Sequence, residues 1–240
     1  MRIFENSYEL ISEVLRDLHE MGKIVKPKSY QNKVIEGNPD FFTKEINNYH
    51  YRLLGLGDVE PLFSFSQPGS RDWVLEEFEE RIASRFVNPG VAWVIRQSEW
   101  EQFLNEDGEM DYTYNERLKG LERIIFELKR NPDTRQAWLP IFERKDIENL
   151  GGSKRVPCSL GYNFSVREGQ LNLTYIQRSA DAVAHFGNDI ILAHFMLQYV
   201  VSRLKVEGLE VEAGYLDHFI FSLHAYQKDW ETLEAGISKL

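Results

Sequence analysis

The chain has 240 residues, 42% hydrophobic and 13% aromatic, with 38 acidic against 28 basic side chains and a formal net charge of −10. Those proportions belong to a globular chain able to bury one large core, and they exclude a disordered polymer. The acidic excess argues against direct nucleic-acid binding, which needs clustered Lys and Arg, but a nucleotide needs only a local cationic pocket.

The elements follow in chain order. Asn6 or Ser7 caps a first helix, in which Leu10, Ile11, Val14, Leu15, Leu18 and Met21 recur at helical spacing until Gly22. Residues 23–40 are turn-rich with scattered lysines, residues 41–54 read as a helix, and 55–70 are punctuated by Gly and Pro. Ser70 opens a helix through Trp73, Val74, Phe78 and Ile82, and a further helix spans about 114–130 until Asn131-Pro132-Asp133 stops it. The second half changes character. Residues 135–143, 160–167 and 171–178 carry the β-branched and aromatic pattern of strands, with Glu168-Gly169 as a hairpin turn between the last two. Residues 188–205 form a helix apolar on most sides, the mark of a central buried helix. Strands near 208–224 and a short C-terminal helix complete the chain. The expectation is a single α+β domain over 1–240, a mixed sheet packed with helices.

A lone cysteine, Cys158, excludes a disulfide framework and a cysteine-based zinc site, and no metal is expected. No apolar run is long enough to span a membrane, and the start MRIFENSYELISEV lacks a signal-peptide core, so a cytoplasmic protein without a membrane partner is expected. Cys158 itself reads two ways. A free cysteine is often an inert buried thiol. Here it stands in Arg155-Val156-Pro157-Cys158, twenty positions before Arg178 in Gln177-Arg178-Ser179-Ala180-Asp181. A thiol followed by a cation that holds an anion beside it can be a nucleophile in a substrate pocket.

Pro-Cys, two strands about a Gly turn, then Gln-Arg-Ser-x-Asp resembles the thymidylate synthase family, and the resemblance covers about residues 41–230. It implies the thymidylate synthase-like fold, a homodimer, and one-carbon transfer from 5,10-methylenetetrahydrofolate to C5 of a pyrimidine nucleotide monophosphate. Asn131-Pro132-Asp133-Thr134-Arg135 resembles the family segment whose arginine crosses the dimer interface to the phosphate. Arg135 would then join Arg178 and Ser179 from the other subunit, since guanidinium groups suit a phosphate dianion. Cys158 would be the nucleophile, Asn163 a base contact, and Asp181 the residue orienting the folate. His224 and Tyr226 in Ser222-Leu223-His224-Ala225-Tyr226 would bind the sugar hydroxyl. Glu45, in Lys44-Glu45-Ile46-Asn47-Asn48-Tyr49, would handle water and protons at the base. Read without the resemblance, His224 is a core histidine and Glu45 a solvated helix face.

Gly187-Asn188-Asp189 places a carboxylate where thymidylate synthases read uracil with an asparagine, and this resembles the phage-type deoxycytidylate hydroxymethylases. A carboxylate accepts from cytosine N4–H, and when it carries or shares a proton it donates to N3. The residue pair alone also suits a helix N-cap. Three departures from the family stand out: Pro89-Gly90 where it has Tyr-Gly, Gln136 where a second arginine is usual, and Ser159 after the cysteine. Lys28 or Lys33 is the candidate for the N-terminal phosphate loop. The implied reaction is hydroxymethylation of dCMP. The alternatives are a thymidylate synthase or dUMP hydroxymethylase, and a non-catalytic nucleotide-binding protein of the same fold.

Overall fold

The computed structural model describes residues 1–30, 33–63, 70–151 and 154–239. Strand β1 (Arg2–Phe4) leads into α1 (Ser7–Met21), followed by β2 (Lys23–Val25), β3 (Ser29–Tyr30), β4 (Lys33–Val34) and the long β5 (Thr43–Leu53). Five helices come next: α2 (Glu60–Phe63), α3 (Ser70–Ile82), α4 (Val91–Ile95), α5 (Gln97–Trp100) and α6 (Tyr114–Arg117). Then come α7 (Leu121–Arg130), β6 (Trp138–Pro140), α8 (Arg144–Ile147), β7 (Ser159–Arg167), β8 (Gln170–Gln177) and β9 (Ala180–Asp181). Helix α9 (Phe186–Val206), β10 (Glu212–Tyr226) and α10 (Trp230–Lys239) end the chain. The turn-rich stretches expected at 23–40 and 55–70 include residues 31–32 and 64–69, which lie outside the described residues.

The main sheet runs β1-β5-β10-β8-β7-β6, with β2 also on β5 and β9 also on β10. It is mixed: β10 is antiparallel to β5 and parallel to β8, while β7 and β8 form an antiparallel hairpin. Glu168 and Gly169 turn that hairpin with φ of 54° and 75°, the left-handed pair that matches strand twist. The α+β architecture expected from the sequence is present.

Residues 41–54, expected to be a helix, are instead strand β5. Tyr49, Tyr51 and Leu53 are buried at every second position, and this alternation is that of a strand with one face on a core. Asn48, at φ 57°, interrupts the alternation just before them and hides it. The helix expected at 114–130 is two helices, broken between Leu118 and Gly120, where Gly120 is the N-cap of α7.

Two rows of side chains cross the sheet on opposite faces, as the period of two requires. Tyr51, His218, Tyr175, Tyr162 and Leu139 lie in register on the inner face. There Phe186 of α9 packs beside His218 and Tyr51, and Tyr49 donates to Asp17 of α1. Arg52, Asp217, Thr174, Asn163 and Trp138 lie in register on the outer face. Helix α9 is the buried centre expected for it, with Ile190, Leu192, Ala193, Val200 and Leu204 at most 1% exposed. Gly187 lets its first turn press on α2, because a Cβ there would lie 2.2 Å from the carbonyl oxygen of Leu62.

Candidate active site

The spacing of twenty between Cys158 and Arg178 is the length of one closed hairpin. Cys158 immediately precedes β7 and Arg178 immediately follows β8, and Ser159 pairs with Gln177. The Arg178 backbone N–H donates to the Cys158 carbonyl at 2.8 Å. The guanidinium donates to the carbonyls of Pro157 (2.9 Å) and Val156 (3.1 Å), and its Nη2 lies 3.6 Å from Cys158 Sγ. A permanent positive charge is therefore clamped beside a half-buried thiol.

Both open onto a cavity of about 930 Å³, at the upper end of the range for one ligand and roomy enough for a nucleotide and a second planar ligand. Cys158, Arg178, Ser179, Asp181, Asp189, Glu45, His224 and Tyr226 all line it. Asp181, His224 and Glu45 stand in register on three adjacent strands, so they share one face. Asp181 Oδ1 accepts from the N–H groups of Val183 and Ala184, which orients the carboxylate. Tyr226 packs edge-on against Tyr30, Phe41 and His224, and burial pushes its hydroxyl well above the usual tyrosine range.

One end of the cavity is built around Asp189. Helix α9 begins at Phe186 with His185 as N-cap, so Asn188 and Asp189 lie inside its first turn and neither caps it. Asp189 faces the cavity but is shielded from bulk water. Burial pushes its carboxyl up to about 6, opposed by a hydrogen bond from Gln177 and the charges of Arg81 and Arg96, and assisted by Glu77. Gln177 Nε2 donates to Asp189 Oδ2 at 2.9 Å, and Gln177 Oε1 lies 2.8 Å from His218 Nε2. His218 Nδ1 lies 2.8 Å from the Tyr51 hydroxyl. Burial holds His218 neutral, pushing it down to about 3. A neutral imidazole with an acceptor at Nε2 carries its proton there and accepts from Tyr51 at Nδ1.

Two expected residues are not brought to the cavity. Asn163 lies on the outer face of the sheet, because Tyr162 beside it points inward and neighbours on a strand alternate. Gln177, itself buried, supplies an amide to Asp189 instead. Arg135 is exposed in the loop between α7 and β6 and does not line the cavity of its own chain. Glu45 does line it, but from strand β5 rather than from a helix. Lys33 lines it as well, while Lys28 pairs with Glu36 at the surface.

Other wall residues were not anticipated. Tyr112 and Tyr114 face Cys158 from the other side, and Ser159 Oγ donates to the Tyr114 hydroxyl at 3.2 Å. Pro89-Gly90 therefore does not leave the site without a tyrosine hydroxyl. Glu77 holds buried Arg81 at 2.7 Å, and burial raises Glu80, whose Oε1 accepts from the Ala92 N–H. Only Gln177 had a local signal, its place directly before Arg178. The others come from distant segments and share no spacing.

A thiol beside a fixed guanidinium, with a desolvated carboxyl lining the same cavity, is an arrangement that can support covalent group transfer. Residues 92–240 match the family model described as thymidylate synthase, and the chain belongs to the thymidylate synthase family. It is similar to the "Putative thymidylate synthase" of Methanosarcina acetivorans, 28% identical over 92% of this chain and 97% of that protein. It is also similar to the deoxyuridylate hydroxymethyltransferase of Bacillus phage SP01, 30% identical over 92% of this chain and 57% of that protein. The thermostable thymidylate synthase A of Bacillus subtilis shares the fold, with a TM-score of 0.75 and 15% identity over 97% of this chain and 84% of that one. The family carries out one-carbon transfer with methylenetetrahydrofolate. No helix among the described residues is long and apolar enough to cross a membrane.

Proposed function

We propose that the enzyme hydroxymethylates C5 of dCMP. The observation that carries this reading is the carboxylate of Asp189, raised to about 6 and held by Gln177 through one oxygen. Its other oxygen is left for the base. In the neutral acid that oxygen's O–H donates to cytosine N3, and the carboxyl group accepts from N4–H. Uracil would offer N3–H and O4, which need the opposite pattern.

Methylenetetrahydrofolate, when bound, supplies the carbon at the oxidation level of formaldehyde. Cys158 Sγ adds to C6 of the pyrimidine, which makes C5 nucleophilic. Arg178 and Ser179 hold the phosphate, His224 and Tyr226 the sugar hydroxyl, and Asp181 the pterin. Once the carbon has joined C5, loss of the C5 proton and cleavage of the carbon–nitrogen bond to the carrier would release tetrahydrofolate and leave a methylene on C5; water then adds to that methylene and Cys158 departs from C6. Two carboxylates are candidates to position that water. Glu45 stands beside His224 on the sheet, whereas the charge of Glu77 acts directly on Asp189. Both line the cavity, and the charge felt by Asp189 supports Glu77 at the base, with Glu45 nearer the sugar.

The protein acts as a homodimer in this reading. Arg135 is exposed and does not line its own cavity, and the outer sheet face presents Trp138 and Phe221, 40% and 46% exposed, as a surface for a second copy. A uracil-directed hydroxymethylase is the second reading, favoured by the name of the phage relative. Incubation with dCMP, dUMP and CMP plus methylenetetrahydrofolate, read by mass spectrometry, tests both. Gain of a hydroxymethyl group on dCMP supports the proposal. Gain on dUMP alone, or gain of a methyl group, overturns it.

A further inference from the structure

Among the described residues, Arg155 is a buried cation without an anion. Its residue is 8% exposed, and it lines the cavity three positions before Cys158. Arg81 and Arg117, buried to 5% each, hold the carboxylates of Glu77 and Asp146. No acidic group among the described residues reaches ion-pair distance of Arg155. Asp111 accepts from its backbone N–H at 2.9 Å, not from its guanidinium. Nε is buried with no hydrogen-bond partner, and Nη1 meets only Met110 Sδ, at 3.8 Å.

The guanidinium is nevertheless held in place. Its centre lies 4.5 Å from the ring centroids of both Trp100 and Phe103, and 5.7 Å from that of Tyr112. Aromatic faces offset part of the cost of a buried charge, but they accept no directed hydrogen bond at Nε. A buried arginine with unspent donors is costly unless something else fills the role. The neighbouring cation cannot share its task fully, because two Arg178 donors are committed to backbone carbonyls.

We propose that Arg155 anchors an oxyanion subsite on the Trp100–Phe103 side of the cavity, occupied by a carboxylate or phosphate oxygen of a substrate. The inference rests on the reading of the cavity as a nucleotide and folate site. Within that reading two oxyanions are available: a glutamyl carboxylate of the one-carbon carrier and the nucleotide phosphate. A planar guanidinium with parallel donors suits either.

The test is calorimetric binding to wild type, Arg155→Met and Arg155→Lys, using dCMP, deoxycytidine, tetrahydrofolate and tetrahydropteroate, which lacks the glutamate. Arg155→Met keeps the apolar stem against the rings. It is expected to lose about tenfold or more in affinity for one charged ligand, with its uncharged counterpart unchanged and Arg155→Lys in between. Loss confined to tetrahydrofolate assigns the subsite to the glutamyl carboxylate, and loss confined to dCMP assigns it to the phosphate. Equal loss for charged and truncated ligands, or none, overturns the subsite. Thermal shifts with millimolar inorganic phosphate and glutarate separate it from the broader reading. A wild type that binds none of the four ligands but is stabilised by either anion, only with Arg155 present, retains the subsite and refutes the nucleotide-and-folate reading. Absence of that stabilisation as well refutes both.

Discussion

Gln177 is held with its carbonyl toward His218 and its amide toward Asp189, at 2.8 and 2.9 Å. The orientation is imposed from behind. His218 is fully buried and neutral, and with the Tyr51 hydroxyl, which burial keeps protonated, as donor to Nδ1, it has only an N–H to give Gln177. Gln177 must answer with its oxygen, and its N–H groups are turned to Asp189. The hydrogen-bond polarity offered to Asp189, the carboxyl proposed to read the base, is thus set two residues behind it.

His218→Leu is therefore expected to free the amide to flip and present its oxygen to Asp189. That carboxyl would then spend its proton on Gln177 and lose its donor to cytosine N3. The KM for dCMP should rise about tenfold, with a smaller effect on kcat and a reduced preference for dCMP over dUMP, since one buried polar contact is at stake. His218→Gln, whose side chain can still donate, should recover part of the preference. A purely structural role would lower kcat and stability without moving the ratio between the two substrates.

Asp189→Asn replaces a group that offers one proton with an amide that offers a fixed donor and acceptor. Turnover of dCMP should fall and that of dUMP should rise, measured as the ratio of kcat/KM values. The wild-type kcat/KM for dCMP should also decline as pH rises above about 6, where the acid loses its proton. Arg81, Arg96 and Glu77 set the local field. Arg81 and Arg96 keep their charge through that range, and Tyr114, Tyr162 and Tyr175 are raised far enough to stay neutral. A profile equally steep in Asp189→Asn would remove Asp189 as its source.

The same carboxyl has a consequence for stability. Its folded value of about 6 exceeds its ordinary 3.8, so between those pH values the folded chain binds more protons than the unfolded chain. Stability must then fall as pH rises through that window, by roughly 3 kcal/mol from this group, and the loss persists at neutral pH. Asp189→Asn should flatten the dependence between pH 4 and 6 and raise Tm at pH 7 by several degrees. Parallel unfolding curves for the two proteins across that window would refute the burial argument.

How much of this was legible in the sequence depended on how local each signal was. The hairpin of β7 and β8 was readable because its alternation and its Glu168-Gly169 turn are contiguous, and the Cys158–Arg178 spacing follows from its closure. The start of the first helix at Asn6 or Ser7 was readable for the same reason, and of the two it is Asn6 that caps, its side chain accepting from the Glu9 N–H. Strand β5 was not, because Lys44 to Asn48 are mostly polar and Asn48 leaves the strand conformation. Asn163 failed on parity: its distance along the chain from Cys158 was sensible, but one step along a strand reverses the face. Arg155, Trp100, Tyr112 and Tyr30 converge from four segments, and nothing in a linear pattern joins them.

The exposed Arg135 is the residue whose role depends most on assembly. Cys158→Ser alone should abolish turnover while nucleotide binding survives, because the phosphate and base contacts remain. Arg135→Ala alone should weaken phosphate binding at both sites of a symmetric dimer. In a mixed dimer the Arg135→Ala subunit keeps its cysteine and borrows an intact Arg135 from the Cys158→Ser subunit. One site is then whole and the other carries both defects. Equal mixing after reversible dissociation yields about half mixed dimers, so activity should recover to about a quarter of wild type. The measurement is turnover at nucleotide concentrations where Arg135→Ala alone is nearly silent. Activity that stays at the sum of the two separate variants would mean that Arg135 serves its own chain or no site at all. A fully active monomer at micromolar concentration would refute the shared site outright.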